Sequence, residues 1–303
     1  MTMKAVVIGA VGSTEVLVEE LVAAPGWELT MIGTLPPELH GRHSDIVDLS
    51  VLAGRHGVRL APIARTNDPQ VLDMVRAEAP DYVFVVGWSQ ICGPEFLSIA
   101  AKGAIGYHPA PLPRLRGRAA IPWTILLDEP ISASSLFWIA EGTDDGDILA
   151  QQYFHLARDE TAQGLYDKHM AALRSMLRAV LPVLAAGEQP RQVQDERYAT
   201  WATKRTQADG LIDWRQPASA IDRLIRAVGR PYPGAFTHVA GRRITVWSSR
   251  PVSGGERHHA LPGQVMANGG GVLTVQTGEG LIELVDWEVA EGRPPALHAV
   301  LKG

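Results

Sequence analysis

Residues 106–118 read Gly-Tyr-His-Pro-Ala-Pro-Leu-Pro-Arg-Leu-Arg-Gly-Arg. A single imidazole, His108, closes an apolar run, and Pro109, Pro111 and Pro113 stiffen the exit. Proline fixes φ, so such an exit holds the imidazole in one orientation. Histidine is the side chain suited to moving protons near neutral pH. Arg114, Arg116 and Arg118 around Gly117 suit an anionic ligand, although a solvated basic loop has the same composition. From residue 141 the chain reads Glu-Gly-Thr-Asp-Asp-Gly-Asp-Ile-Leu, an acidic cluster around Asp144. A carboxylate beside a histidine fixes its tautomer, stabilises the imidazolium and raises its pKa. A solvated turn has the same composition, while a calcium loop is excluded by the missing twelve-residue spacing. Sequence spacing does not by itself bring His108 and Asp144 together.

Val86-Gly-Trp-Ser-Gln-Ile91 ends another apolar run. Trp88, Ser89, Gln90 and Ile91 there offer either a slot for a flat heteroaromatic ring or a plain strand-end turn around a buried tryptophan. Gly9-Ala-Val-Gly-Ser13 lacks the dinucleotide fingerprint spacing, and no Gly-Lys-Ser/Thr phosphate loop occurs. It reads as a tight turn into a helix. No metal is expected: there is no His-Glu-x-x-His, paired-cysteine or clustered-histidine pattern, and His258-His259 in a Gly-rich loop looks incidental.

These groups need a scaffold, and the first half of the chain supplies one. Strand-like runs at 4–9, 28–33, 58–61, 82–87 and 103–108 alternate with helical patterns at roughly 12–24, 45–56 and 68–78. That alternation predicts an α/β fold, a Rossmann-like doubly wound, mostly parallel sheet with helices on both faces. Parallel sheets place ligands at strand carboxyl ends, where His108 falls. Runs at 134–139 and 148–155 flank the Asp144 loop as two further strands, and a long helix follows at about 161–186. Residues 188–203 read as a linker. Beyond it, a helix at 217–229 and short strands punctuated by glycines predict a small OB-like β-barrel. The domains expected are therefore 1–187 and 204–303.

Composition narrows the function classes. The chain has 303 residues, of which 46% are hydrophobic and 20% charged, as in an ordinary globular protein. The net charge of −5 divides into −8 over residues 1–203 and +3 over 204–303. An acidic first domain is a poor phosphate-backbone surface, so nucleic acid is disfavoured as a partner. The opening run is too short for a signal peptide and reads as a buried strand, and no apolar run approaches the ~20 residues of a membrane helix. Cys92 is the one cysteine, which makes a reducing cytoplasm the expected compartment. No apolar stretch declares an oligomer interface, and a homodimer stays open.

Taken together, the segments at 106–118 and 141–149 resemble the signature of the folate-dependent formyltransferases. There the first segment usually reads Asn-x-His-Pro-Ser-Leu-Leu-Pro-x-x-Arg-Gly and the second Asp-x-Gly-x-Ile. Asp209-Gly-Leu-Ile-Asp-Trp214, Ile221-Asp-Arg-Leu-Ile-Arg-Ala227 and Pro231-Tyr-Pro-Gly-Ala-Phe-Thr237 look like the C-terminal module of the methionyl-tRNA and amino-sugar formyltransferases. Val246-Trp-Ser-Ser-Arg250 is closer to the amino-sugar branch. The resemblance implies formyl transfer from N10-formyltetrahydrofolate to the primary amine of a small acceptor, with methionyl-tRNA formylation or an altered formyl-folate hydrolase or binding protein as alternatives. It implies His108 and Asp144 as catalytic groups, facing one another. It places folate between Trp88, Ser89, Gln90 and Ile91 on one side and Ile139, Ala140, Glu141, Gly142 and Thr143 on the other. Tyr107, Pro109, Arg114, Arg116, Gly117 and Arg118 would meet the acceptor. The family's third catalytic group, an asparagine, falls on Gly106, and a water or Gln90 is the expected substitute.

Overall fold

The computed structural model describes residues 2–42, 45–252, 259–290 and 292–303, so His258 lies outside the described residues. The first half alternates β1 (Met3–Ile8), α1 (Gly12–Ala23), β2 (Trp27–Thr34), α2 (Ser50–His56), β3 (Arg59–Pro62), α3 (Pro69–Ala77), β4 (Tyr82–Val85), α4 (Pro94–Leu97) and β5 (Gly103–His108). Then come β6 (Arg116–Gly117), α5 (Ala120–Leu126), β7 (Ile131–Trp138), β8 (Ile148–His155), α6 (Ala162–Ala185) and β9 (Trp201–Ala202). Seven of these strands form one sheet in the order β3-β2-β1-β4-β5-β7-β8. The first five pair parallel. β7 runs antiparallel to β5, and β8 antiparallel to β7. Only residues 139–147 join β7 to β8, too few for the crossover that a parallel pair requires.

The apolar runs are unbroken because both faces of the sheet are covered. Ala5, Val7 and Phe84 lie in the cluster formed with Leu17 and Leu21 of α1 and Leu173, Leu177 and Leu184 of α6. Val6, Ile8 and Val83 lie in a second cluster with Leu72 and Val75 of α3 and Phe96 of α4. Fully burying one such side chain contributes about 1.5–3 kcal/mol. This packing sets the frame from which β5 delivers His108.

Local differences from the sequence reading have physical causes. The helical pattern at 45–56 becomes helix only from Ser50. α4 and α5 are too short to show a helical period. Asp68 stands at the start of α3 without a side-chain capping bond. Asn67 instead donates to the Ile91 carbonyl at 2.9 Å and accepts from the Gly93 amide at 2.8 Å, so it ties two loops together. Residues 188–203, expected as a linker, are bonded along their length. Gln192 and Ile148 exchange backbone bonds at 2.8 and 2.9 Å. The Pro190 carbonyl accepts from the Trp138 indole at 2.9 Å, and β9 pairs parallel with β6.

The chain divides into two compact units, one of Met1–Ala120, Ile131–His155 and Tyr166–Thr203, the other of Ile121–Pro130, Leu156–Leu165 and Lys204–Gly303. The second unit carries α7 (Ala218–Val228) and strands β10 (Ala235–Val239), β11 (Arg242–Val252), β12 (Val265–Gly269), β13 (Val272–Gln276) and β14 (Leu281–Val289). They form an antiparallel sheet in the order β10-β11-β14-β13-β12. Residues 298–302 bond both outer strands: His238 with Lys302 at 2.9 and 2.8 Å, and Val265 with Ala299 and with His298 at 2.9 Å each. The ladder thereby closes into a small barrel. β11 is longer than the sequence suggests because register shifts around Ser248 break its alternation. Among the described residues, no helix is long and apolar enough to cross a membrane.

Candidate active site

His108 is the last residue of β5 and is only 6% exposed. Its Nε2 lies 2.7 Å from the Leu115 carbonyl. A carbonyl only accepts, so Nε2 carries a proton there and the neutral ring keeps its lone pair on Nδ1. Nδ1 faces Asp144 Oδ2 at 3.6 Å. That exceeds a direct hydrogen bond, so Nδ1 remains available to a reacting group. The same Oδ2 accepts from the Gly117 amide at 2.8 Å, which fixes the carboxylate and leaves Oδ1 to receive another donor. The structure thus brings the two expected groups together.

The loops that do this hold unusual backbone. Leu115 has φ of 59° and Asp144 φ of 52°, left-handed values that few side chains adopt. Leu115 turns its carbonyl back to the imidazole in that conformation. Gly117, at φ 106°, has the Ala202 carbonyl 2.5 Å from where a Cβ would stand. Glycine is required for this close approach and for the amide that meets Asp144.

Gly106 sits two residues before His108, on the same strand face. Its antiparallel partner is Phe137. A Cβ on Gly106 would lie 2.7 and 2.8 Å from two atoms of the Phe137 ring and 3.1 Å from Ile139 Cγ1. The ring therefore covers the space expected for a water or for Gln90. Gln90 is also committed elsewhere: Oε1 accepts from the Thr66 amide at 3.0 Å, and Nε2 donates to the Ala64 carbonyl at 3.0 Å. Phe137 carries no chemical signature in the sequence and becomes visible only through strand register.

Other expected contacts divide. Trp88 and Ile139 pack on the same apolar cluster, and the Trp88 indole donates to Thr66 Oγ1 at 2.8 Å. Ser89, Ile91 and the run Ala140, Glu141, Gly142 and Thr143 are exposed, with Pro109 half-buried. Arg114 and Arg118 are exposed as well. Two residues do not reach the His108 face. Tyr107 alternates to the opposite side of β5, where its hydroxyl bonds Ser134 Oγ at 3.0 Å and burial pushes its pKa up. Behind it the buried His169 bonds Ser134 through Nδ1 at 2.8 Å, and burial pushes its pKa down to about 3. Arg116 is only 2% exposed and is fully occupied by Gln194 and Glu196. An arginine in that position fixes a loop and is not free to meet an anion. Among the described residues, no cluster of three or more His, Cys, Asp or Glu could hold a metal.

Cys92 follows the Trp88 turn and is buried, which pushes its thiol up to about 12. The thiolate is the reactive form, so iodoacetamide at about pH 8 should leave the native chain unlabelled and alkylate it only after unfolding. Rapid native-state labelling, read by mass spectrometry, would show that this turn opens.

Residues 45–181 match the model of the formyl transferase family, and residues 204–303 match the formyl transferase C-terminal domain. The chain belongs to the formyl transferase family. Similar solved structures extend the likeness of fold across the chain. An N-formyltransferase from Helicobacter canadensis, in complex with folinic acid and dTDP-3-aminofucose, has a TM-score of 0.67 at 13% identity and covers 95% of this chain and 100% of its own. The methionyl-tRNA formyltransferase from Clostridium thermocellum gives 0.63 at 17%, covering 96% and 100%. HypX from Aquifex aeolicus in complex with tetrahydrofolic acid gives 0.66 at 17%, covering 96% of this chain but 45% of HypX. The chain thus spans under half the length of HypX.

Proposed function

We propose that this protein moves a formyl group from N10-formyltetrahydrofolate to the primary amine of a small acceptor, a nucleotide-linked amino sugar. The observation that carries the reading is His108 Nδ1 set 3.6 Å from Asp144 Oδ2 at the carboxyl end of β5. An amine arrives as an ammonium and must lose a proton before it attacks. Nδ1, bare in the neutral ring, receives that proton, and Asp144 stabilises the imidazolium so formed. Asp144 Oδ1 accepts an N–H of the amine and aims its lone pair. His108 then returns the proton to the departing folate nitrogen, and the attacking nitrogen releases its second proton to solvent as the amide forms. The folate supplies only the activated formyl group. Trp88 and Ile139, half-buried on one apolar cluster with polar backbone beside them, suit the flat face and polar edge of a pterin. Exposed Arg114 and Arg118 suit the diphosphate of a nucleotide sugar.

The acidic first 203 residues favour this acceptor over tRNA. Gly106, read as the position of the family's asparagine, favours a second reading. Without that donor, acyl transfer to amines slows and hydrolysis of formyl-folate competes. One experiment separates them: the protein is incubated with N10-formyltetrahydrofolate and a panel of amino-sugar nucleotides or charged tRNA, with tetrahydrofolate release followed by absorbance. Release only with an amino-sugar nucleotide is expected. Acceptor-independent release means hydrolysis, dependence on charged tRNA means tRNA formylation, and no release under any condition sinks the proposal.

A further inference from the structure

Gln194 lies in the polar segment that resembles a linker, yet its side chain is only 5% exposed. Its Nε2 donates to the Asp144 carbonyl at 2.8 Å and to the Gly146 carbonyl at 2.7 Å. Its Oε1 accepts from Arg116 Nε at 3.2 Å and Nη2 at 2.9 Å. Every polar atom of the amide is therefore engaged. Arg116 completes the arrangement by a forked contact with Glu196, at 2.6 Å and 3.1 Å, which holds the Glu196 carboxyl below its ordinary pKa. The residue after Arg116 is Gly117, whose amide holds Asp144 Oδ2.

One buried amide thus grips both parts of the site. It fixes the backbone of the acidic turn from one side and, through Arg116, the strand that carries the donor to the carboxylate from the other. The grip is on a turn that needs holding, since Asp144 is in the left-handed region. A carbonyl pair facing the interior also needs donors, and among the described residues Gln194 supplies one to each.

We propose that Gln194 is a positioning residue for formyl transfer, setting the Asp144 carboxylate opposite the His108 imidazole through its two bonds to the 144–146 turn and its clamp on Arg116. The inference rests on the reading of His108 and Asp144 as the proton-handling pair. A glutamate at 194 would keep the shape and the Arg116 contact while replacing the N–H donors with an oxygen facing two carbonyls.

The test is Gln194→Glu in the full chain, read by hydrogen exchange at the Gly117 amide, by thermal unfolding, and by kcat and KM for N10-formyltetrahydrofolate. Exchange at Gly117 should quicken by about tenfold or more, and kcat should fall by about 10–100-fold with KM within about threefold, as a displacement near 1 Å at reacting groups produces. Unchanged Gly117 exchange overturns the inference, and so does a lowered Tm with unaltered kcat in the folded fraction. Should Gln194→Glu not fold, Glu196→Gln loosens Arg116 from the exposed side. It should reduce kcat in the same direction by about three- to tenfold, and no change overturns the inference. Wild-type protein that transfers formyl to no acceptor defeats the functional reading, while Gly117 exchange still decides whether Gln194 sets the turn.

Discussion

Asp144→Asn is expected to lower kcat by about 10²–10⁴-fold while leaving KM for the formyl-folate and the Tm nearly unchanged. The asparagine fits the same space. Its side-chain oxygen must keep facing the Gly117 amide, because an NH₂ group there would set donor against donor. That choice keeps the side-chain oxygen where Oδ2 now stands, 3.6 Å from His108 Nδ1, and puts the NH₂ in the place of Oδ1, the atom that is to receive the amine. The Nε2 proton is pinned by the Leu115 carbonyl, so Nδ1 is the ring's acceptor atom. An NH₂ in the place of Oδ1 sets donor against the N–H of the incoming amine, and the imidazolium formed at Nδ1 loses its anionic neighbour. The first change acts on the amine, the second on its proton, and neither on folate binding. Steady-state kinetics across a pH series, with thermal unfolding as the control for folding, check the result. A kcat within about fivefold of wild type would show that the carboxylate is a structural fixture of the turn.

The sequence made the parallel sheet readable because strands buried on both faces must be continuous apolar runs, and Val6, Val7 and Ile8 are such a run. The place of His108 followed from the same logic, since a parallel strand delivers its last residue to the ligand edge. Its partner Asp144 was suggested by resemblance and not by spacing. What stayed hidden depended on distant partners. Arg116 looks like a surface cation until Gln194 and Glu196 close over it. Gln194 itself sits in a polar stretch with no period, where no local rule separates a strap from a linker. Tyr107 needed only the strand alternation to be placed on the far side from His108, an inference open to the sequence and outweighed there by proximity in the motif. Phe137 could be set against Gly106 only once β7 was known to run antiparallel to β5, in the register that pairs the two residues.

Gly106→Asn, the direct way to place a side-chain donor at this position, is expected to bring no gain by itself, and the reason is that register. The new Cβ would stand 2.7 Å from the Phe137 ring, and the amide beyond it would need the volume the ring fills. Phe137 is 5% exposed and packed with Leu112 and Ile148, so the ring cannot simply swing into solvent. Forcing extra atoms into a closed core costs about 1–3 kcal/mol, and Gly106→Asn should lose that much stability with no gain in kcat. Phe137→Ala alone should cost about 3–5 kcal/mol through the cavity it leaves. The double variant should be more stable than the sum of the singles allows, with a coupling of about 1 kcal/mol or more, because the asparagine occupies the emptied space. Its kcat should exceed that of Phe137→Ala by up to about 10²–10³-fold, the usual worth of one oxyanion donor. Denaturant unfolding and formyl-transfer kinetics on the four proteins of the cycle measure both quantities. If Gly106→Asn alone is stable and faster, the aromatic ring is no obstacle and the glycine is merely a lost catalytic group. If the double variant is stable but no faster, the tetrahedral oxyanion is held by backbone or by substrate, and Gly106 with Phe137 forms an apolar wall that the reaction does not need to be polar.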